Sequence, residues 1–223
     1  MKLKNKIKLL ITCDSGAGAG KTTAAKYLSR KYGLHLLTSG LLYRFVAYKL
    51  IISKKTTGDV SFLKKITKNI NLEIIKKSKL YSIQVTKFTA EIAKIKKIRQ
   101  LLKKYQKKFS TKKLVILEGR DMGMLFPGAD VKFFFKCSLN EAAKRRFKEY
   151  KKSSKKITLN EVKKGIKIRN HIDSTRKFSP LRIPKGAVIV DTTNISKKEM
   201  FIKISKVIEG KLLLKYGRNY KAK

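Results

Sequence analysis

From Leu9 to Lys26 the chain reads Leu-Leu-Ile-Thr-Cys-Asp-Ser-Gly-Ala-Gly-Ala-Gly-Lys-Thr-Thr-Ala-Ala-Lys, and few folds accommodate that order. A short apolar run enters a glycine-rich turn and leaves it as a helix-forming stretch, the strand–loop–helix setting of a phosphate-binding loop. Alternating Gly16, Gly18 and Gly20 allow successive backbone N–H groups to curl around an anion. A helix opening near Lys21 adds unpaired amides and the positive end of its dipole. Ser15, Gly16, Ala17, Gly18, Ala19, Gly20, Lys21, Thr22 and Thr23 are thus the expected contacts of a nucleoside triphosphate. Lys21 offers a mobile charge to the terminal phosphates, and the Thr22 hydroxyl suits a magnesium ion. The strict pattern G-x-x-x-x-G-K-[ST] asks for glycine where Ser15 stands. A serine held at positive φ there would cost about 1 kcal/mol.

With 223 residues the chain has room for one α/β core with inserts. Its formal charge is +43, from 57 Lys+Arg against 14 Asp+Glu. Such a field attracts polyanions, so weak non-specific binding of nucleic acid is expected. The lysines are scattered through every segment rather than gathered in one stripe, which fits a solvated surface. Cys13 and Cys137 have no metal or redox spacing and read as small buried thiols in a reducing cytoplasm. The basic start, Lys2 to Lys8, followed by Leu9-Leu10-Ile11, resembles an export signal, but its apolar part is too short. No run approaches the roughly 18–20 apolar residues of a membrane span, so no membrane partner and a cytoplasmic location are expected.

Strand-like segments at 9–12, 35–37, 114–117, 131–135 and 187–190 alternate with helical patterns at 21–32, 41–52, 92–109, 141–150, 158–172 and 197–213. Short apolar runs separated by helices predict a parallel sheet covered on both faces. The expected fold is a P-loop NTPase core with a five-stranded parallel sheet, a small inserted module and a mobile lid. One domain spans 1–223: core at 1–53, 110–147 and 161–223, insert at about 54–109, lid at about 148–160. Within the insert, 54–90 shows short β-like alternation. His35 is expected to pack in its strand, and the tail from Lys215 to fray.

Lysine outnumbers arginine 47 to 10, so the positions that keep arginine stand out. Its planar fork grips phosphate in a way lysine cannot. Arg44 follows Thr-Ser-Gly-Leu-Leu-Tyr, Arg120 lies in Glu-Gly-Arg-Asp, Arg145-Arg146 precede the lid, and Arg169 and Arg176 flank Asp173 beyond it. Together they predict a phosphate-rich active site.

These landmarks, in this order, resemble the bacterial-type cytidylate kinases among the nucleoside monophosphate kinases. The resemblance covers roughly residues 7–205 and includes His35-Leu-Leu-Thr-Ser39-Gly-Leu-Leu-Tyr43-Arg44, Glu118-Gly-Arg120-Asp121-Met-Gly, Arg169-Asn-His-Ile-Asp173-Ser-Thr-Arg176 and Ile189-Val-Asp191-Thr-Thr. It implies transfer of the γ-phosphoryl group of Mg-ATP to CMP, and to dCMP, by a monomer. By resemblance, Ser39, Arg44 and Arg120 hold the acceptor phosphate with Tyr43 nearby, and Arg99 and Asp121 read the cytosine. Arg169 and Asp173 are implied as ribose and lid contacts and Arg176 as a further nucleotide contact. Lys21, Arg120, Arg145 and Arg146 are the implied catalytic set, with Thr22 at Mg²⁺. The chain departs from the family's habit at Ser15, Thr38, Ala90, Glu118, Met124 and Ile172. Two other readings remain: a kinase of UMP or another small molecule, and a basic RNA-associated P-loop protein.

Overall fold

A computed structural model describes residues 3–72, 75, 77–152 and 157–221. Along the chain run β1 (Leu9–Ser15), α1 (Lys21–Tyr32), β2 (His35–Thr38), α2 (Ser39–Ile52), α3 (Val60–Lys68), α4 (Lys77–Leu80), α5 (Ile83–Ile92) and α6 (Lys96–Ser110). Then come β3 (Leu114–Gly119), α7 (Met122–Leu125), β4 (Val131–Lys136), α8 (Leu139–Lys152), α9 (Leu159–Thr175), β5 (Val188–Asp191) and α10 (Lys197–Tyr216), closed by a 3-10 turn at Gly217–Tyr220. The strands form one sheet in the order β2-β3-β1-β4-β5. β1 pairs in parallel with β3, Asp14 opposite Gly119, and with β4, Ser15 opposite Phe135. β4 pairs in parallel with β5.

The chain divides into two compact units, Met1–Leu36 with Lys112–Lys223, and Leu37–Thr111. In the first, the buried face of α1 (Ala24, Ala25, Leu28, Tyr32) joins Ile11, Cys13, Phe133, Phe135 and Val190 of the sheet and Met200, Ile204 and Ile208 of α10 in one core. The near-continuous burial of β1, β3 and β4 reflects a sheet with both faces covered. Helix starts are written in local chemistry. Thr158 with Glu161 and Ser196 with Glu199 form capping boxes that open α9 and α10. Tyr27 stacks on Phe201 with ring centroids 3.9 Å apart, joining α1 to α10.

Beyond Thr38, the regular elements of the second unit are all helices among the described residues. The β-like alternation over 54–90 gives way to helices α3 to α5 because burial follows helical spacing. Leu63 and Thr67 share one face of α3, and Val85, Thr89 and Ile92 share one face of α5. The Ser82 side chain accepts from the Val85 amide at 3.3 Å and starts α5. α2, apolar on nearly all sides, packs on α5, and α3 on α6.

Two further expectations are corrected. His35 opens β2 at the edge of the sheet and is exposed rather than packed. The tail does not fray as far as Lys221. Tyr220 is buried in the first unit's core, its carbonyl accepts from the Lys4 amide at 3.1 Å, and Leu3 bridges Lys221. Burying one aromatic ring there outweighs the disorder a basic tail otherwise prefers. The middle of the expected lid, residues 153–156, lies outside the described residues; α8 reaches Lys152 and α9 begins at Leu159.

Candidate active site

β1 ends inside the core and delivers the glycine loop to the carboxyl edge of the sheet, where open α/β folds bind ligands. Gly18 (φ 76°) and Gly20 (φ 82°) are left-handed. A Cβ on Gly18 would come within 2.8 Å of the Ala142 side chain, so the loop closes against α8 only with glycine there. Gly20 is the N-cap of α1 and provides no side-chain cap, which leaves the helix's first amides for an anion. Ser15 belongs to the extended end of β1, and its hydroxyl donates to the Gly16 carbonyl at 2.6 Å. Its φ is not positive, so that cost does not arise: among described non-glycine residues only Lys54 and Ser179 have a positive φ. A residue still paired in the sheet keeps strand dihedrals, and the turn begins after it.

Lys21 folds back over the loop, with Nζ 3.5 Å from the Gly16 carbonyl and 3.7 Å from Glu118 Oε1. Burial lowers its pKa, and the Glu118 carboxylate opposes that. The Thr22 hydroxyl donates to the same Glu118 oxygen at 3.1 Å. Glu118 Oε2 is buried and has no hydrogen-bond partner among the described residues. One hydroxyl, one carboxylate and an unused buried oxygen are hard donors of the kind magnesium accepts alongside water and phosphate oxygens.

Asn170 of α9 accepts from the Ala17 amide at 2.9 Å and ties that helix to the loop. A cavity of about 580 Å³ opens beside it, lined by Gly16, Ala19, Cys137, Asn170, Asp191 and Thr193 among others. Cys137 is therefore half-buried on the cavity wall, not a core thiol like Cys13, because it follows the last residue of β4.

Arginines converge on Asp173, whose side chain is only 8% exposed. Arg120 Nη1 lies 2.7 Å from Oδ2, Arg176 Nη1 3.1 Å from Oδ1, and Arg169 Nε 3.6 Å from Oδ2. Arg176 also approaches Asp121 at 3.9 Å and donates from Nε to the Ser179 carbonyl at 2.6 Å. Burial pulls the Arg120 guanidinium down to about 10, Asp173 opposing and Arg169 and Arg176 reinforcing the shift. It stays charged at neutral pH. Asp14, fully buried, accepts from the Met122 and Gly123 amides; burial pushes its carboxyl up to about 7 against those two bonds.

Arg145 and Arg146 are held by α8 and face different partners. Arg145 grips Glu141 at 3.1 Å and Thr192 through both its hydroxyl (3.0 Å) and its carbonyl (2.6 Å). Thr192 in turn donates to the Ala19 carbonyl at 3.3 Å. Arg146 pairs with Glu149 at 2.7 Å on an exposed face.

In the second unit, Ser39 is buried and accepts from Gln106 at 2.8 Å. Arg44 donates to the Leu80 carbonyl (3.0 Å) and Thr86 hydroxyl (2.8 Å) and lies 4.4 Å from the Tyr81 ring centroid. Arg99 donates to the Ala93 carbonyl at 3.0 Å and lies 5.5 Å from the Tyr43 ring. Glu118, Asn170, Thr192 and Gln106 were not singled out as site residues from sequence. Glu118 had a signal, its place just before Gly-Arg-Asp at the end of a strand; Asn170 and Thr192 lie inside the Arg169–Arg176 and Ile189–Thr193 stretches that carry the resemblance, and Gln106 had none.

A glycine loop between a central parallel strand and an uncapped helix defines a phosphate-loop nucleotide-binding protein of the α/β class. The comparison with known proteins narrows the class. A family model described as cytidylate kinase matches residues 11–210. The cytidylate kinase of Fusobacterium nucleatum is 35% identical over 212 residues, spanning 90% of this chain and 97% of its own. That of Clostridioides difficile is 35% identical over 204 residues, 86% of this chain and 94% of its own. Among solved structures, an uncharacterised protein from Eubacterium ventriosum matches with a TM-score of 0.52 at 13% identity, covering 91% of this chain and 99% of that one, a likeness of fold alone. This chain belongs to the cytidylate kinase family.

Proposed function

We propose that the protein transfers the γ-phosphoryl group of ATP to CMP and dCMP, giving the nucleoside diphosphates and ADP. The observation that carries this reading, beside family membership, is the arginine cluster. Arg120, Arg169 and Arg176 gather on one buried carboxylate next to Asp121, in the same unit as a phosphate loop with free helix amides.

A phosphate monoester is already an anionic nucleophile at neutral pH, so the reaction needs two anions held in line and charge stabilisation, not a general base. The exposed His35 and His171 are not needed as one. Loop amides 16–23 and Lys21 hold the donor phosphates. Thr22 and Glu118 would hold Mg²⁺, which supplies charge neutralisation across the donor phosphates when bound. Ser39, Arg44 and Arg120 bind the acceptor phosphate with Tyr43 nearby, Arg169 and Asp173 meet its ribose and the lid, and Arg176 is a further contact to the nucleotide. Asp121, with Arg99, reads cytosine: a carboxylate accepts from the exocyclic amine that uracil lacks. Arg145 and Arg146 complete the donor side. No described helix is long and apolar enough to cross a membrane. A cytoplasmic monomer, with weak salt-sensitive affinity for RNA from the +43 charge, completes the reading.

ADP release coupled to CMP, dCMP, UMP and AMP tests it. Turnover of CMP and dCMP well above UMP and AMP is expected; strong turnover of UMP or AMP with little of CMP overturns it. Omitting magnesium should abolish the activity.

A further inference from the structure

Asp14 is an unusual residue to bury. No described lysine or arginine side chain hydrogen-bonds it, and of the charged groups that act on it Asp121 shares its sign while Lys21 opposes. Its two oxygens instead take the two consecutive amides that follow Arg120-Asp121: Oδ1 from Met122 at 2.8 Å and Oδ2 from Gly123 at 2.6 Å. Two neighbouring donors need two acceptors on one short side chain. Asparagine would set an NH₂ group against one of them, and serine would answer only one.

The far side of the turn is equally confined. A Cβ on Gly123 would come within 2.5 Å of Pro184 Cγ and 3.3 Å of Asp14 Oδ2. Met122 is fully buried, and a Cβ on Gly119 would strike its side chain at 2.7 Å. Between these fixed points, Arg120 and Asp121 have little freedom to point elsewhere. Asp14 also directly precedes the glycine loop, so one side chain joins the root of the donor loop to the acceptor-reading turn.

We infer that Asp14 is a positioning residue for the acceptor: its carboxylate, through the Met122 and Gly123 amides, sets where Arg120 and Asp121 stand. This rests on the kinase reading above and adds to it a residue that touches neither substrate. Loss of the grip therefore weakens acceptor recognition and base choice while the donor loop, whose own contacts are intact, still binds ATP.

The test is Asp14→Asn, with KM for CMP, the CMP:UMP ratio of kcat/KM, and Kd for a non-hydrolysable ATP analogue measured by titration calorimetry. KM for CMP should rise about tenfold or more and the CMP:UMP ratio fall at least about fivefold, while the analogue's Kd changes less than about twofold. Equal weakening of both nucleotides, or no change in CMP, overturns the inference. Gly123→Ala is the independent arm, because it pushes the turn off Asp14 and leaves β1 and the loop sequence unaltered. It should reproduce the acceptor-selective loss even if the Asn variant does not fold, and unchanged KM for CMP in this variant overturns the inference as well. Wild-type protein in the same assay separates the two levels: failure to prefer CMP there refutes the kinase reading itself, not the role of Asp14.

Discussion

Substituting Asp173 by asparagine removes the charge on which Arg120 and Arg176 meet and leaves the shape almost unchanged. Both guanidinium groups are largely out of water, 16% and 9% exposed, and their contacts to the carboxylate are 2.7 and 3.1 Å. Breaking a buried pair from one side costs about 3–5 kcal/mol, because the partner charge stays buried without compensation. Asparagine keeps one acceptor oxygen, which favours the lower end. Arg169, 39% exposed at 3.6 Å, adds well under about 1 kcal/mol. For a chain of this length each kcal/mol moves Tm by about 2–4 °C, so a loss of about 3 kcal/mol predicts a Tm lower by roughly 6–12 °C. Inorganic phosphate should then restore more stability to the variant than to wild type, since in the variant it supplies the missing negative charge. Thermal melting with and without saturating phosphate, chloride held as the ionic-strength control, measures both effects. A loss under about 1 kcal/mol, or equal phosphate stabilisation of the two proteins, refutes the idea that Asp173 neutralises a buried cationic cluster.

Three other perturbations have definite signs. Lys21→Ala should lower kcat by about a hundred- to a thousandfold or more with the far-UV spectrum unchanged, and near-normal kcat removes Lys21 from the reaction. Ser15→Gly should bring no gain in kcat and cost about 0.5–1 kcal/mol in urea unfolding, as glycine does in a strand; faster turnover would mean the serine is strained after all. The Asp14 carboxyl is raised from 3.8 to about 7 on folding, so the folded state holds its proton more tightly than the unfolded chain. The stability this group contributes is complete below about pH 4 and is lost as pH rises through about 7, by an amount of the order of 4 kcal/mol at most. Wild type should therefore be more stable relative to Asp14→Asn at pH 5 than at pH 8. A difference independent of pH contradicts the assignment.

Strand and helix order was legible because it is carried by local signals. Short apolar runs form the bodies of β1, β3 and β4, capping boxes begin α9 and α10, and glycines punctuate the loop after β1. The misread segments were those where two periods compete over few residues. In the insert, the Tyr81–Val85 alternation suggested a strand until Thr89 and Ile92 completed a helical face. The C-terminal end was misjudged because one buried tyrosine, Tyr220, outweighs its polar neighbours.

The functional site divides along the same line. Residues whose chemistry depends on neighbours in sequence, Gly18 through Thr22 or the Arg169–Asp173–Arg176 spacing along α9 and its C-cap, declare themselves in the chain. Partners that meet only through the sheet do not: Glu118 beside Thr22, Asn170 on the Ala17 amide, Arg145 on Thr192, and Asp14 on the amides of Met122 and Gly123. Their separations along the chain, from about fifty residues to more than a hundred and fifty, are closed by parallel strands whose ends align. Local sequence therefore determined which groups are present and on what element. Only the packed sheet decided which of them share a hydrogen bond, because that depends on the register between strands.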